Sequence, residues 1–229
     1  MEQNCINVEL PQPKNPKKKI WLTVIGDIVF VIVLAIMIFY AIFNFTFEYH
    51  PVEGYSMSPT LNLNSSSEDS VYLMKSKEYK RGDIIVAKHS NVLVIKRLIA
   101  TGGEKVNISF EHGKCVIYII KPNENGPIKF DYSFIGGIGY AGTYDDFVRY
   151  IQENSTDVEN INDKFYLTIP YGYVFYLGDN MQEGESEDCA DYGPVNQELI
   201  VGKVRFVIHE RKHYVKQIIE QIIKKPDYI

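Results

Sequence analysis

The sequence predicts a mainly β body carried behind one membrane-spanning helix, and three patterns point there. Residues 28–47 are uncharged and mostly apolar, shortly after the basic cluster KNPKKK. Beyond them, short runs rich in valine, isoleucine and tyrosine alternate with glycine-containing breaks. A helical spacing of apolar residues appears only near the end of the chain. With 229 residues, 45% hydrophobic and 23% charged, the chain has room for one medium domain plus appendages and the composition of a folded protein.

Residues 1–19 form a basic tail in which Lys14, Lys17, Lys18 and Lys19 outnumber Glu2 and Glu9. From residue 20 to residue 47 the only charge is Asp27. Twenty apolar residues in a helix cross a hydrocarbon core of ~30 Å. The far side begins NFTFEYH, without lysine or arginine, so retention of positive charge in the cytoplasm puts the N-terminus inside and the body outside. The expected location is therefore the cell membrane, single-pass, with an extracytoplasmic body. A cleavable signal peptide would have an apolar core of about 7–15 residues ending near a small-x-small site. This run is longer and ends among Phe39, Tyr40, Phe43 and Phe45, which favours a retained anchor at 20–47. Asp27 is expected near the cytoplasmic interface; an intramembrane functional acid is the sharper alternative.

The body, residues 48–210, opens with strand-like SVYLMKS (70–76), DIIVAKH (83–89), VLVIKRLIA (92–100), KVNISF (105–110) and KCVIYIIK (114–121). Gly82-Asp83, Gly102-Gly103 and His112-Gly113 supply the breaks. Residues 122–164 change character: glycine-rich FIGGIGYAGTY precedes DDFVRYIQEN, a short helix by composition. This predicts an insertion, about 107–164, on a β core. Strands resume with FYLTIP (165–170), YVFYLGD (173–179) and VGKVRFVIH (201–209). In 211–229, Val215, Ile218, Ile219, Ile222 and Ile223 recur at helical spacing and Pro226 ends the pattern. An amphipathic helix packed on the body is the expected outcome there, ahead of one lying on a membrane surface.

Net charge is −5, and the acidic balance beyond Glu48 argues against nucleic acid as a partner. Cys5 lies in the basic tail. Cys115 and Cys189 are far apart; a disulfide between them is open outside the cell, and two packed thiols are the preferred reading.

His209-Glu210-Arg211-Lys212-His213 matches the H-E-x-x-H zinc-protease pattern. That pattern needs a helix to put both imidazoles on one face, whereas His209 ends a strand-like run and no histidine follows His213. A strand-to-helix junction is expected, with no metal. Gly54-Tyr55-Ser56-Met57-Ser58 almost fits the G-x-S-x-G nucleophile elbow but ends in serine, then proline. The downstream histidines, His112, His209 and His213, sit on no obvious catalytic loop, and no serine has a lysine three residues later. Lys96 remains. Alternation in VLVIKRLIA puts it with Val92, Val94 and Leu98, where a charged amine is costly and its pKa should fall from about 10.4. A neutral amine there could serve as general base for a serine hydroxyl; a lysine pointing to solvent from an edge strand is the plainer reading of the pattern alone.

Taken in order, SMSPTL (56–61), GDIIV (82–86), IKRLIATGGEKV (95–106) and GDN…SEDCADYGPV (178–195) resemble the type I signal peptidases, Gram-positive-like in branch. The resemblance covers about a third of the chain. It implies a mainly β, signal-peptidase-like catalytic domain, of the architecture shared with LexA, that removes signal peptides from exported preproteins without a cofactor. By it, Ser56 is the nucleophile, Lys96 the general base, Ser186 the hydroxyl that orients the amine and Asp188 a structural acid. The oxyanion would be held by backbone groups at Ser56 and Gly54, because Gly54 replaces a residue whose hydroxyl helps in some relatives. Two family arginines are absent: Met181 follows Asn180, and Ala190 stands two residues past Asp188. That leaves Arg97 as the expected ion-pair partner of Asp188.

The implied substrates carry small residues at the first and third positions before the cut. They are expected to add as a strand to edges at 53–56 and 93–96, touching Glu53, Tyr55, Leu93, Val94 and Ile95. Membrane lipid is a further expected partner, through exposed apolar residues such as Met57 and the 130–145 region. The chain is expected to be monomeric. Two other classes stay open: a catalytically impaired extracellular binding module with this fold, and a LexA-type self-cleaving regulator. The second lacks DNA-reading helices before the body.

Overall fold

The computed structural model describes residues 16–62, 69–124, 126–130, 142–154, 157–182, 184–209 and 214–223. It divides into two units at Thr46/Phe47. The first contains helix α1 (Pro16–Thr46), with Ile20–Thr46 long and apolar enough to cross a membrane. Those 27 residues span about 40 Å. Its apolar side chains are exposed on every side, the pattern of a spanning helix rather than a core helix. The helix stops one residue earlier than expected, because Phe47 already belongs to a strand.

The second unit is built from two antiparallel sheets. Its strands are β1 (Phe47–Pro51), β2 (Ser70–Met74), β3 (Ile84–His89), β4 (Val92–Thr101), β5 (Lys105–Glu111), β6 (Lys114–Ile120), β7 (Ile128–Phe130), β8 (Val158–Ile161), β9 (Lys164–Thr168), β10 (Tyr173–Leu177), β11 (Val195–Asn196) and β12 (Ile200–Ile208). Helices α2 (Gly142–Glu153), α3 (Cys189–Tyr192) and α4 (Tyr214–Ile223) complete it. One sheet runs β1-β2-β12-β3-β4-β10-β11, the other β7-β6-β5-β9-β8.

Alternation along β3 shows how the first sheet is buried on both faces. Ile85 and Ala87 join a large core shared with the second sheet and α2, alongside Ile108, Ile117, Phe147 and Leu167. Ile84 and Val86 point the other way, into a smaller core with Met57, Leu61, Val71 and Leu73. The Ser56 loop is thus pinned by its own apolar neighbours. Met57, expected on the surface against lipid, is only 2% exposed.

The chain leaves the first sheet at Gly102-Gly103 and returns at Pro170–Gly172. The two crossings touch: a Cβ on Gly102 would lie 2.7 Å from the Tyr171 Cα and 2.8 Å from the Pro170 carbonyl oxygen. Gly103 N–H donates to the Ile169 carbonyl, and Ile169 N–H to that of Glu104. The segment FYLTIP, expected to resume the core, is instead β9 of the second sheet, paired with β5 and β8. Short β1, β7, β8 and β11 were not visible in the strand patterning.

Cys115 and Cys189 are both buried as thiols rather than joined in a disulfide, in keeping with the preferred reading. His209 directly follows β12, and its Nδ1 lies 3.1 Å from Asp69 Oδ2; residues 210–213, the rest of the H-E-x-x-H stretch, fall outside the described residues, as does most of 130–145. α4 does pack on the body, against β12, but three of its isoleucines, Ile219, Ile222 and Ile223, are exposed.

Candidate active site

β4 carries the base candidate. Lys96 is flanked by Val94, packed on the main core, and Leu98, within it, and is itself only 3% exposed. Its amine donates to Ser186 Oγ (2.8 Å), and that hydroxyl donates to Asp188 Oδ2 (2.7 Å). Burial holds the Lys96 pKa below the ordinary lysine value, while Asp188 pulls it back up. Asp188, fully enclosed, is pushed up to about 6 by the same burial; the Lys96 amine and the bonds it accepts oppose this. Both shifts disfavour charge, so the two groups titrate as a coupled pair.

Asp188 is immobilised by local structure. It is the N-cap of α3, with Oδ1 accepting from Ala190 N–H (3.0 Å) and its own N–H donating to Asp191 Oδ2 (3.0 Å), a reciprocal capping box. Oδ2 also accepts from Gly178 N–H (2.9 Å). One oxygen therefore caps the helix while the other holds Ser186.

The nucleophile candidate, Ser56, is half-buried in the turn after β1. Its carbonyl accepts from Asn180 N–H (3.0 Å), and the Tyr55 carbonyl accepts from Asn180 Nδ2 (3.2 Å). Asn62 Nδ2 donates to the carbonyls of Val52 and Gly54, both 3.0 Å. Gly54 adopts φ +78, and a Cβ there would meet open space, so the conformation rather than crowding calls for glycine. Ser56 and Lys96 line one groove of about 310 Å³, together with Glu53, Leu93, Val94 and Ile95. The Tyr55 ring is 44% exposed.

Arg97 has a different partner from the expected one. Its Nε and Nη2 hold Asp179 Oδ1 and Oδ2 at 2.8 and 2.6 Å, and Nη1 donates to the Gly82 carbonyl (2.7 Å). The reason is strand alternation: consecutive residues face opposite sides, so the face that gives Lys96 to Asp188 turns Arg97 away. Thr60, from the nucleophile's loop, donates to Asp179 Oδ2 (2.5 Å). Asp179 thus ties β4, the 178–180 turn and the Ser56 loop together.

Several of these residues escaped the sequence reading. Thr60, Asp179 and Asn180 lie inside the quoted motifs, yet nothing in their spacing gives their roles. Gly178 is the sharpest omission. A Cβ there would lie 2.1 Å from Ser186 Oγ and 2.5 Å from the Ser56 carbonyl oxygen. The usable signal was a glycine ending the hydrophobic strand YVFYL, a mark of close backbone approach.

A buried amine, a hydroxyl relay to a carboxylate, and a serine in the same groove suit acyl transfer without a metal. Among the described residues no group of His, Cys, Asp or Glu is arranged to hold one.

The family model described as signal peptidase, peptidase S26, matches residues 25–209. The chain is 31% identical over 160 residues to signal peptidase I P of Bacillus subtilis subsp. natto, covering 66% of this chain and 72% of that one. It is 27% identical over 187 residues to signal peptidase I T of Bacillus subtilis strain 168, covering 77% and 81%. A crystal structure of a signal peptidase I from Enterococcus faecalis, 26% identical, covers 56% of this chain and 98% of its own, with a TM-score of 0.34.

Proposed function

The chain belongs to the signal peptidase family, peptidase S26, and from that premise we propose that it is a membrane-anchored endopeptidase that cleaves signal peptides from exported preproteins with Ser56 as nucleophile and Lys96 as general base. The observation that carries this reading is the amine of Lys96, buried, hydrogen-bonded into the Ser186–Asp188 relay, and lining the groove that also holds Ser56.

In the proposed reaction the neutral Lys96 amine takes the Ser56 hydroxyl proton as Oγ attacks the scissile carbonyl. The Ser56 N–H faces the charge that develops on the carbonyl oxygen, with a backbone group, a water or the substrate as second donor. Collapse breaks the C–N bond, the Lys96 ammonium protonates the departing amine, and an ester remains on Ser56. Lys96 then takes a proton from water as the water attacks the ester; collapse breaks the bond from the acyl carbon to Ser56 Oγ, the Lys96 ammonium returns the proton to Oγ, and the second product leaves as the acid. The Ser186 hydroxyl, fixed by Asp188, keeps the amine aimed throughout.

Substrate would enter as an added strand. β3 pairs with β4 from residue 92 to residue 97, while β10 pairs with β4 only from Arg97 onward. On the β10 side, residues 92–96 therefore present an edge with no ladder partner among the described strands, and Glu53, Leu93, Val94 and Ile95 line the groove beside it. α1 is the proposed anchor, with the basic N-terminal tail cytoplasmic and the body outside. Preproteins are the proposed substrates; no nucleic-acid partner is invoked, and the monomer is taken as the working unit. The binding-module alternative is not favoured, because the buried Lys96 amine, bonded to Ser186, lines the same groove as Ser56.

The test uses the full-length chain in proteoliposomes with a signal-peptide precursor. Cleavage after a small-x-small sequence is expected, with Ser56→Ala and Lys96→Ala each slowing it by at least about 10³-fold. Cleavage that survives both substitutions would sink the dyad.

A further inference from the structure

α4 meets β12 through the amides of two glutamines, and of its isoleucines only Ile218 is half-buried. Gln217 Oε1 accepts from His209 N–H (2.9 Å), and its Nε2 donates to the His209 carbonyl (2.9 Å). Gln221 repeats this on Val207, accepting from its N–H (2.9 Å) and donating to its carbonyl. The spacings agree: four residues of helix advance about 6 Å, and two residues of strand about 6.6 Å. The ladder of β12 with β3 ends at Lys203, so the two glutamines occupy a strand edge that would otherwise stand open.

This double clamp fixes the rotation of the helix. At about 100° per residue, Ile219, Ile222 and Ile223 point away from the Gln217–Gln221 stripe. They are 49%, 56% and 75% exposed. A helix docked only for its own stability would show the reverse, glutamines out and isoleucines in. Charge supplies the second clue. Residues 211–225 carry five basic residues (Arg211, Lys212, Lys216, Lys224 and Lys225) against one acid, Glu220, in a chain of net charge −5.

We propose that the Ile219–Ile222–Ile223 face of α4 seats in the interface of an anionic lipid bilayer, with the basic residues of 211–225 drawn to its headgroups. An exposed apolar helical face in a basic stretch of sequence is the form that lies in the membrane plane, about 5–10 Å into the headgroup boundary. The proposal rests on the membrane-anchored reading of α1, which supplies the bilayer within reach of the same chain.

Trp21, in α1, is the only tryptophan, so one fluorescence experiment separates the two readings. Full-length protein is reconstituted in vesicles of phosphatidylcholine and phosphatidylglycerol with brominated acyl chains, as wild type and as the double variant W21F/I222W. The wild-type indole reports the anchor, and the introduced indole reports α4. Both are expected to emit blue-shifted light and to lose most of their intensity to the bromines, the variant less so when phosphatidylglycerol is omitted. An unquenched wild type would overturn the anchor. A quenched wild type beside a variant that emits like an indole in water would overturn the α4 proposal and leave the anchor standing. A blue-shifted but unquenched variant would assign the face to a protein surface, such as a second copy, and overturn it equally.

Discussion

Gly178 and Arg97 show how far single residues decide this site. Adding one methyl at position 178 would drive a carbon into the space of Ser186 Oγ and the Ser56 carbonyl. Gly178→Ala should therefore lower kcat by about 10²-fold or more, since displacement of reacting groups by ~1 Å has that effect. Initial rates on a precursor peptide would check it. Arg97 does structural work: Asp179 is fully buried and its carboxylate is held through two oxygens. Arg97→Met should destabilise the body by ~3–5 kcal/mol, read by denaturant unfolding, because it leaves a buried charge without its guanidinium. The motif order picks out Ser56, Lys96, Ser186 and Asp188 as candidates, and the structure joins the last three by hydrogen bonds beside the groove that Ser56 lines. The partner of Arg97 was not legible in the sequence, because a family pattern says which residues matter and strand alternation says what each one faces.

At the scale of elements, β4 is central: its two faces carry Lys96 and Arg97, and its first half has no ladder partner on the β10 side among the described strands. Its composition announced a strand, as did that of β2, β3, β5, β6, β9, β10 and β12. The strands missed, such as FEYHP in β1 and VENI in β8, are short and charged, and they form because a neighbour offers an edge rather than because their residues favour it. α4 was readable as a helix from its period, but the period cannot say which face docks. The glutamine clamp predicts that Gln217→Ala/Gln221→Ala exposes the Val207 and His209 amides. Hydrogen exchange at those two positions should rise, while exchange at the other amides of the β2–β12 ladder and cleavage of a short soluble peptide stay unchanged. Unchanged exchange at Val207 and His209 would contradict the clamp.

Across the whole molecule, the site exists because segments up to 130 residues apart in sequence are brought together: the Ser56 loop, β4, the 178–180 turn and the cap of α3. The second sheet, built from 105–168, interrupts the first at the Gly102/Pro170 crossing and shares its core, so the insertion read from composition is a structural half of the body. The two-sheet partition was hidden because strand composition is the same in both sheets; only pairing assigns a strand to one or the other. What these distant parts accomplish together is to bury a lysine amine, its pKa lowered by that burial, in the groove that also holds a serine, and the pH dependence of kcat/KM for the full-length chain on a precursor peptide tests the proposed base directly. Wild-type activity should rise with pH through a limb below the ordinary lysine pKa, as the buried Lys96–Asp188 pair gives up its proton. In Asp188→Asn the carboxylate that favours the ammonium form is gone, so the rate should fall and the limb should move to lower pH. A limb that stays in place in Asp188→Asn, as a histidine base near 6.5 would give, would contradict the account.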